Sequence, residues 1–234
     1  MGSGVVIHCN SRVKWQAKRV QFFAAGLKAK GITFEITDSF ERLDDRPAIL
    51  LGTTFWRQVE STGSYLLVDR CSFGDTDVFT SLVWNGHGKR GDHRVPSTYD
   101  ASRWEKHRVP LLPWKRSSKR VVCGQTESYC STHLRDWYES VGATHFRKHP
   151  AGENPTGLPE WNSFDDCELV TLNSSVAIQG IIHGCKTEVH DVGGMAYGTL
   201  PTDESRLDLM HWLAWTQFSD QEVSEGIFWD WHWY

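Results

Sequence analysis

The chain has 234 residues, is 39% hydrophobic and 23% charged, and carries a formal charge of −4. That composition excludes wholesale disorder, and the acidic balance excludes a uniformly basic surface for nucleic acid while leaving room for local basic patches. No apolar run approaches the ~18 residues of a membrane span, so no membrane partner is expected. The start, MGSGVVIHCN, lacks the apolar core of a secretory signal, and the six cysteines include no CxxC pair. Both features predict reduced, core-filling thiols in a cytoplasmic protein.

In chain order, Gly4–Cys9 (GVVIHC) is a short apolar run that predicts a buried strand. From Arg12 to Lys30 the apolar residues Val13, Ala17, Val20, Ala24 and Leu27 draw one helical stripe, ended by Gly31. Further strands are predicted at Ile32–Ile36, Pro47–Gly52 and Tyr65–Asp69. Between Leu66 and Trp104 no helix is evident, and five Gly and Pro positions mark loops. Residues 104–120, with two prolines and many cations, read as the crossover between two domains, 1–110 and 111–234.

The second half restarts the pattern. Arg120–Gly124, Thr144–Arg147, Glu168–Leu172 and Thr187–Asp191 predict strands; Thr132–Val141, a segment opening at Asn173 and running through His183, and Arg206–Gln217 predict helices. The closing stripe is Leu207, Met210, Leu213, Ala214 and Gln217. No sequence repeat links the halves. The fold class this predicts is α/β, with two Rossmann-like lobes, and the Trp-rich end is assigned to the second.

Two motifs carry candidate chemistry. Asn173-Ser174-Ser175 stands between a strand and a helix, where ligands of α/β sheets bind and where backbone N–H groups face an anion; the alternative is that Ser174 is only a helix cap. Arg147-Lys148-His149-Pro150 places three potential cations at the end of a strand; the alternative is a solvated turn. Their convergence on one phosphate is the reading that uses both.

HFRKHP followed by CELVTLNSSVAIQGIIHGCKTEVHD resembles the carboxyl-terminal half of GT-B-type glycosyltransferases, with the nearest likeness in the capsule-polysaccharide (Kdo) transferases and their short phage-encoded relatives. VDRCSFGD, WNGHG, GGMAY and the Trp-rich end extend the likeness. The resemblance implies a GT-B-like pair of lobes with an interlobe cleft, 1–110 on the acceptor side and 111–234 on the donor side. It implies a hexosyltransferase using a nucleotide-sugar such as UDP-glucose, with His149, Ser174 and Ser175 holding the donor phosphate. The acceptor it implies is the hydroxymethyl group of a 5-hydroxymethylpyrimidine, 5-hydroxymethyluracil above all, in double-stranded phage DNA. A capsule or cell-surface saccharide, or a non-catalytic nucleotide or nucleic-acid binder, are the alternatives.

Transfer to a hydroxyl by inversion needs a general base. Candidates are Asp69 at a strand end, Asp75 at a glycine turn and His87 in a Gly-rich loop. Their bland readings are a carboxylate paired with Arg70, a turn residue and an exposed side chain. Asp75-Thr76-Asp77 also matches a DxD metal triplet; the GT-B likeness points instead to no cofactor beyond the co-substrate, with a divalent metal as the alternative. DNA contact would fall to Lys14 and Lys18, on a helix face shared with Arg12, Arg19 and Lys28, and to Trp84, Lys89, Arg90 and Arg94 around the 84–94 loop.

Overall fold

The computed structural model describes residues 4–39, 45–53, 64–107, 109–125, 133–150 and 152–232. The chain is mixed α/β and divides into two compact units. The first comprises residues 1–107 together with 211–234, the second 108–210.

The first unit holds a six-stranded sheet. Strands β1 (Val5–His8), β2 (Phe34–Thr37), β3 (Ala48–Leu51) and β4 (Tyr65–Arg70) are mutually parallel, β5 (Phe79–Trp84) runs antiparallel to β4, and β10 (Gln217–Ser219) antiparallel to β5. The order is β10-β5-β4-β3-β1-β2. One face packs Ile7, Ile49, Leu66 and Trp84 against Phe23 and Leu27 of helix α1 (Lys14–Ala29) and against Phe218 and Phe228. Ala48, Leu50, Tyr65 and Leu67 are buried on the other. Burial on both faces is why β1, β3 and β4 read as unbroken apolar runs.

α1 forms where predicted, but its buried face is Gln16, Arg19, Phe23, Gly26 and Leu27, not the stripe through Val13 and Val20. Two polar residues occupy that face because each finds partners. Gln16 accepts the Asn10 N–H at 2.8 Å. Arg19 donates to the carbonyls of Thr76 (2.8 Å) and Phe79 (3.2 Å) and pairs with Asp220.

The Trp-rich end belongs to the first unit, not the second as its assignment to 111–234 had it. β10 hydrogen-bonds to β5, and helices α6 (Asp220–Ser224) and α7 (Ile227–His232) pack beside α1. Ser219 and Glu222 form a reciprocal capping box at the start of α6. Helix α2 (Ser102–His107), unforeseen in the sequence, carries the buried Arg103. Its guanidinium donates to the Ala214 carbonyl (3.1 Å), the Gln217 carbonyl and Glu222 (2.9 Å).

His107 closes α2 with its ring against Phe73 and Phe79. Burial, aided by the Arg103 charge, pushes its pKa from 6.5 down to about 4. Between those values the unfolded chain binds more protons than the fold, so stability falls as pH drops. We expect a loss on the order of 2 kcal/mol from this group on going from pH 7 to pH 4. His107→Gln should flatten the urea-midpoint profile over that range; a profile identical to wild type would refute this account. His93, also pushed down by burial, adds a slope of the same sign.

The second unit holds a four-stranded parallel sheet: β6 (Lys119–Cys123), β7 (His145–Arg147), β8 (Cys167–Thr171) and β9 (Thr187–Val189), in the order β7-β6-β8-β9. Helix α3 (Leu134–Ser140) covers Val122, Phe146 and Val170 on one face. Cys123, Cys167, Leu169 and Cys185 lie on the other with Phe164 and Val176, beside helix α4 (Val176–Ile182). Helix α5 (Asp203–Trp215) runs across the boundary between the units at Met210–His211. The two sheets share a core order: the first strand lies between the second and the third, with the fourth outside. That is a structural repeat with no counterpart in the sequence.

Among the described residues, no helix is long and apolar enough to cross a membrane.

Candidate functional site

In a parallel sheet of this order the chain leaves the first strand toward one side and returns on the other, which opens a crevice at the carboxyl ends of the first and third strands. In the second unit these are β6 and β8. Gly124 and Gln125 follow β6, Asn173–Ser175 follow β8, and Lys148–His149 follow β7. The two predicted motifs therefore stand on the same edge of one sheet, with β6 between them. Two inter-strand spacings separate them by about 10 Å.

The edge is tightly built. A Cβ on Gly124 would lie 2.8 Å from the His149 backbone nitrogen and 3.1 Å from its Cβ, so a glycine is what lets His149 close over β6. Gln125 donates from Nε2 to the buried Thr171 hydroxyl (2.7 Å) and from its backbone N–H to the Tyr138 hydroxyl (2.9 Å). The same Thr171 oxygen accepts the Ser174 N–H at 3.2 Å, which ties the Asn173–Ser175 turn to Gln125.

Not every predicted ligand faces this edge. Arg147 lies on the opposite side of the pleat from Phe146. It donates to the carbonyls of Asn162 (2.6 Å) and Ser163 (3.3 Å) and stacks on Phe164 at 4.2 Å. The expected cluster of three cations is thus reduced to Lys148, which is exposed, and His149, which is half-buried. Ser174 is not the helix cap, a place taken by Ser175; its Oγ accepts the Val176 N–H at 3.3 Å in a local turn. Ser175, at the start of α4, is exposed. α4 itself spans 7 residues, shorter than predicted, so its dipole is small.

The sequence reading missed Asp191. It is 7% exposed, accepts the Gly193 N–H at 2.7 Å and receives Asn173 Nδ2 at 3.4 Å. Its signal was the run Asp191-Val192-Gly193-Gly194, an aspartate turning the chain over glycines. A Cβ on Gly194 would lie 3.1 Å from the Asn173 Cα, so the turn rests directly on the Asn173–Ser175 segment. A separate pocket of about 270 Å³, lined by Arg135, Tyr138, Glu139, Pro155, Thr156 and Leu158 among others, includes neither His149 nor residues 173–175.

In the first unit, Asp69 and His87 fall within electrostatic reach of each other. Burial pushes the Asp69 carboxyl up and the His87 imidazole down, while the attraction between them opposes both shifts. Asp69 also accepts the Arg70 N–H at 2.7 Å. His87 is half-buried rather than exposed, because its loop is pinched shut. Trp84 and Asp92 exchange backbone bonds of 2.8 and 2.9 Å, and a Cβ on Gly86 would lie 2.5 Å from the Gly91 Cα. Asp75 is not drawn into this pair: it is exposed, and its Oδ1 accepts the Asp77 N–H at 2.8 Å in a local turn. Among the described residues, no group of three or more His, Cys, Asp or Glu is placed to hold a metal.

The DNA-facing candidates divide. Lys14, Lys89 and Arg90 are exposed. Lys18 bonds the Asp77 carbonyl (2.6 Å) and lies 3.4 Å from Asp220. Trp84 is 3% exposed and packs in the core, with the Arg94 guanidinium 4.7 Å over its ring. Its face is therefore closed to an extruded base, contrary to the expectation, and Arg94 is occupied by that stacking and by Asp92 at 3.3 Å.

No protein-family model and no curated protein matches this chain.

Proposed function

We propose that the protein is a glycosyltransferase that moves a hexose from a nucleotide-sugar such as UDP-glucose to a hydroxyl, with the donor phosphate held at the carboxyl edge of the second sheet. The observation that carries this reading is the placement of His149 and Asn173–Ser175 on either side of Gly124–Gln125, at the switch point of a parallel sheet. An anionic leaving group there meets the His149 imidazole, the Lys148 ammonium and the Ser175 hydroxyl as its charge develops. The sugar's anomeric carbon gains a bond to the acceptor oxygen as its bond to phosphate breaks, and a base takes the acceptor proton. Asp69 with His87 is the pair proposed for that task. The reading includes the GT-B arrangement of lobes and needs no cofactor beyond the co-substrate.

For the acceptor we propose 5-hydroxymethyluracil in phage DNA, in the cytoplasm of the host. With Trp84 buried, contact to the backbone rests on the exposed cations Lys14, Lys18, Lys89 and Arg90. That reduced set favours a saccharide hydroxyl as the second reading.

The test is incubation with UDP-glucose and duplexes containing 5-hydroxymethyluracil, read by mass. A hexose gain on DNA is expected. Gain on a capsule saccharide instead would move the acceptor to the second reading. UDP binding without turnover on any acceptor would leave a nucleotide-binding protein. His149→Ala should lower transfer by about 10²-fold or more, in the range found for loss of one transition-state partner, with an unchanged circular dichroism spectrum. Turnover left intact would move the donor site elsewhere.

A further inference from the structure

The second unit holds a thiol pair that the donor reading does not use. Cys167 opens β8, and Cys185 lies two residues before β9. The parallel register pairs Leu169 with Thr187, and carried two residues back it sets Cys167 directly opposite Cys185. Neighbouring strands lie about 4.8 Å apart, inside the Cα separation that a disulfide spans. The two sulfurs are 3.8 Å apart, and each cysteine is at most 1% exposed. Cys123 shares this face of the sheet but sits at the far end of β6, at the level of Arg147.

The pair is covered by residues 161–166. Cys185 lies 3.1 Å from the Phe164 carbonyl and Cys167 3.6 Å from the Ser163 carbonyl, both sulfurs in donor geometry. Phe164 stacks on the His183 ring, and Lys115 holds Asp165 at 2.8 Å. The one Cys185 S–H can turn from the Phe164 carbonyl to Cys167; so directed it draws the Cys167 pKa down against burial, with help from the Arg147 and Lys115 charges, while Cys185 is pushed up as the donor. The Arg147 and Lys115 charges favour a thiolate at Cys167, the form a nucleophile must take.

We propose that Cys167 and Cys185 form a reversible redox pair that a hydroperoxide closes into a cross-strand disulfide, loosening the 161–166 cover. The Cys167 thiolate attacks the peroxide; a sulfur–oxygen bond forms as the O–O bond breaks, and the departing oxyanion takes a proton. Cys185, deprotonated, then attacks the sulfenic sulfur; the S–S bond forms and water leaves with the oxygen. Two thiols and one hydroperoxide give one disulfide, one alcohol (water, when the oxidant is hydrogen peroxide) and one water. The disulfide keeps no S–H, so the Ser163 and Phe164 carbonyls lose their thiol donors. Access of the oxidant requires the same cover to open, which makes the reaction slow in the closed fold.

The test treats the full chain with hydrogen peroxide, alkylates remaining thiols after denaturation and maps peptides. It depends on no assumption about the donor site. A Cys167–Cys185 linked peptide pair is expected, reversed by dithiothreitol, absent in Cys167→Ser and in Cys185→Ser, and retained in Cys123→Ser. Amide exchange over 161–166 should run severalfold faster in the oxidised protein. Full alkylation of both cysteines after treatment, or a sulfinic acid at Cys167 with no link, would overturn the proposal. A link with unchanged exchange would overturn the loosening.

Discussion

Arg103→Met should destabilise the first unit by about 3–5 kcal/mol, the range for removing one partner of a buried ion pair. Arg103 is 6% exposed and its guanidinium stacks on Phe218 at 4.8 Å. Its loss leaves the Ala214 and Gln217 carbonyls without those donors, and leaves the Glu222 carboxylate in place. Burial pushes that carboxyl up, yet the Ser219 N–H and the Arg103 charge hold it below its ordinary value, so it stays ionised at neutral pH. The variant would therefore leave a half-buried carboxylate to Lys106, at 3.6 Å, and to the Ser219 N–H and hydroxyl. Arg103→Lys should recover only part of the loss, because an ammonium cannot reach three acceptors in one plane. The measurement is a urea midpoint, paired with amide exchange over 217–219. A midpoint within experimental error of wild type would show that the tail is held by other contacts.

Gly124→Ala should weaken binding of UDP by tenfold or more while lowering stability by only about 1–3 kcal/mol, the usual cost of overpacking by one methyl group. The added Cβ meets backbone at His149 on one side and the Phe146 ring, at 3.0 Å, on the other. Backbone cannot swing aside as a side chain can, so the end of β7 must shift away from β6. That shift moves His149 relative to Asn173–Ser175 without removing any proposed ligand. Calorimetric titration of wild type and variant with UDP reads it directly. Equal affinities would mean that the spacing across β6 does not matter to the ligand, and the carboxyl-edge site would have to be given up.

The parts of the fold that the sequence announced are those whose strands are buried on both faces. AILL and YLLV appear as apolar runs because no solvent face interrupts them. β5 escaped because Thr80 and Ser81 are buried in a polar guise, with the Thr80 hydroxyl donating to the Asp69 carbonyl at 2.8 Å. α1 was found but its inward face was misread, since a hydrophobicity stripe cannot see that Arg19 will meet carbonyls 57–60 residues away. Gln217, aligned in the sequence with the stripe of α5, lies instead in β10 and accepts the Ser72 N–H at 2.6 Å. At the candidate site, the order of His149 and Asn173–Ser175 along successive strands was readable from strand and turn signals. The diversion of Arg147 to the 162–163 carbonyls was not, because it depends on which side of the pleat one residue faces.

The route of the chain between the units constrains how the protein can be made. The six-stranded sheet takes its last strand from residues 217–219, after the whole of the second unit has been synthesised. A ribosome releasing the chain in order therefore exposes β5 with an unoccupied edge, and the Leu66–Trp84 surface without Phe218 and Phe228, while more than a hundred further residues emerge. The second unit, contiguous from 108 to 210, has no such wait and can reach its parallel sheet during elongation. The nascent amino-terminal segment is thus the one that needs shelter from association, and translation speed through the middle of the message sets how long it needs it.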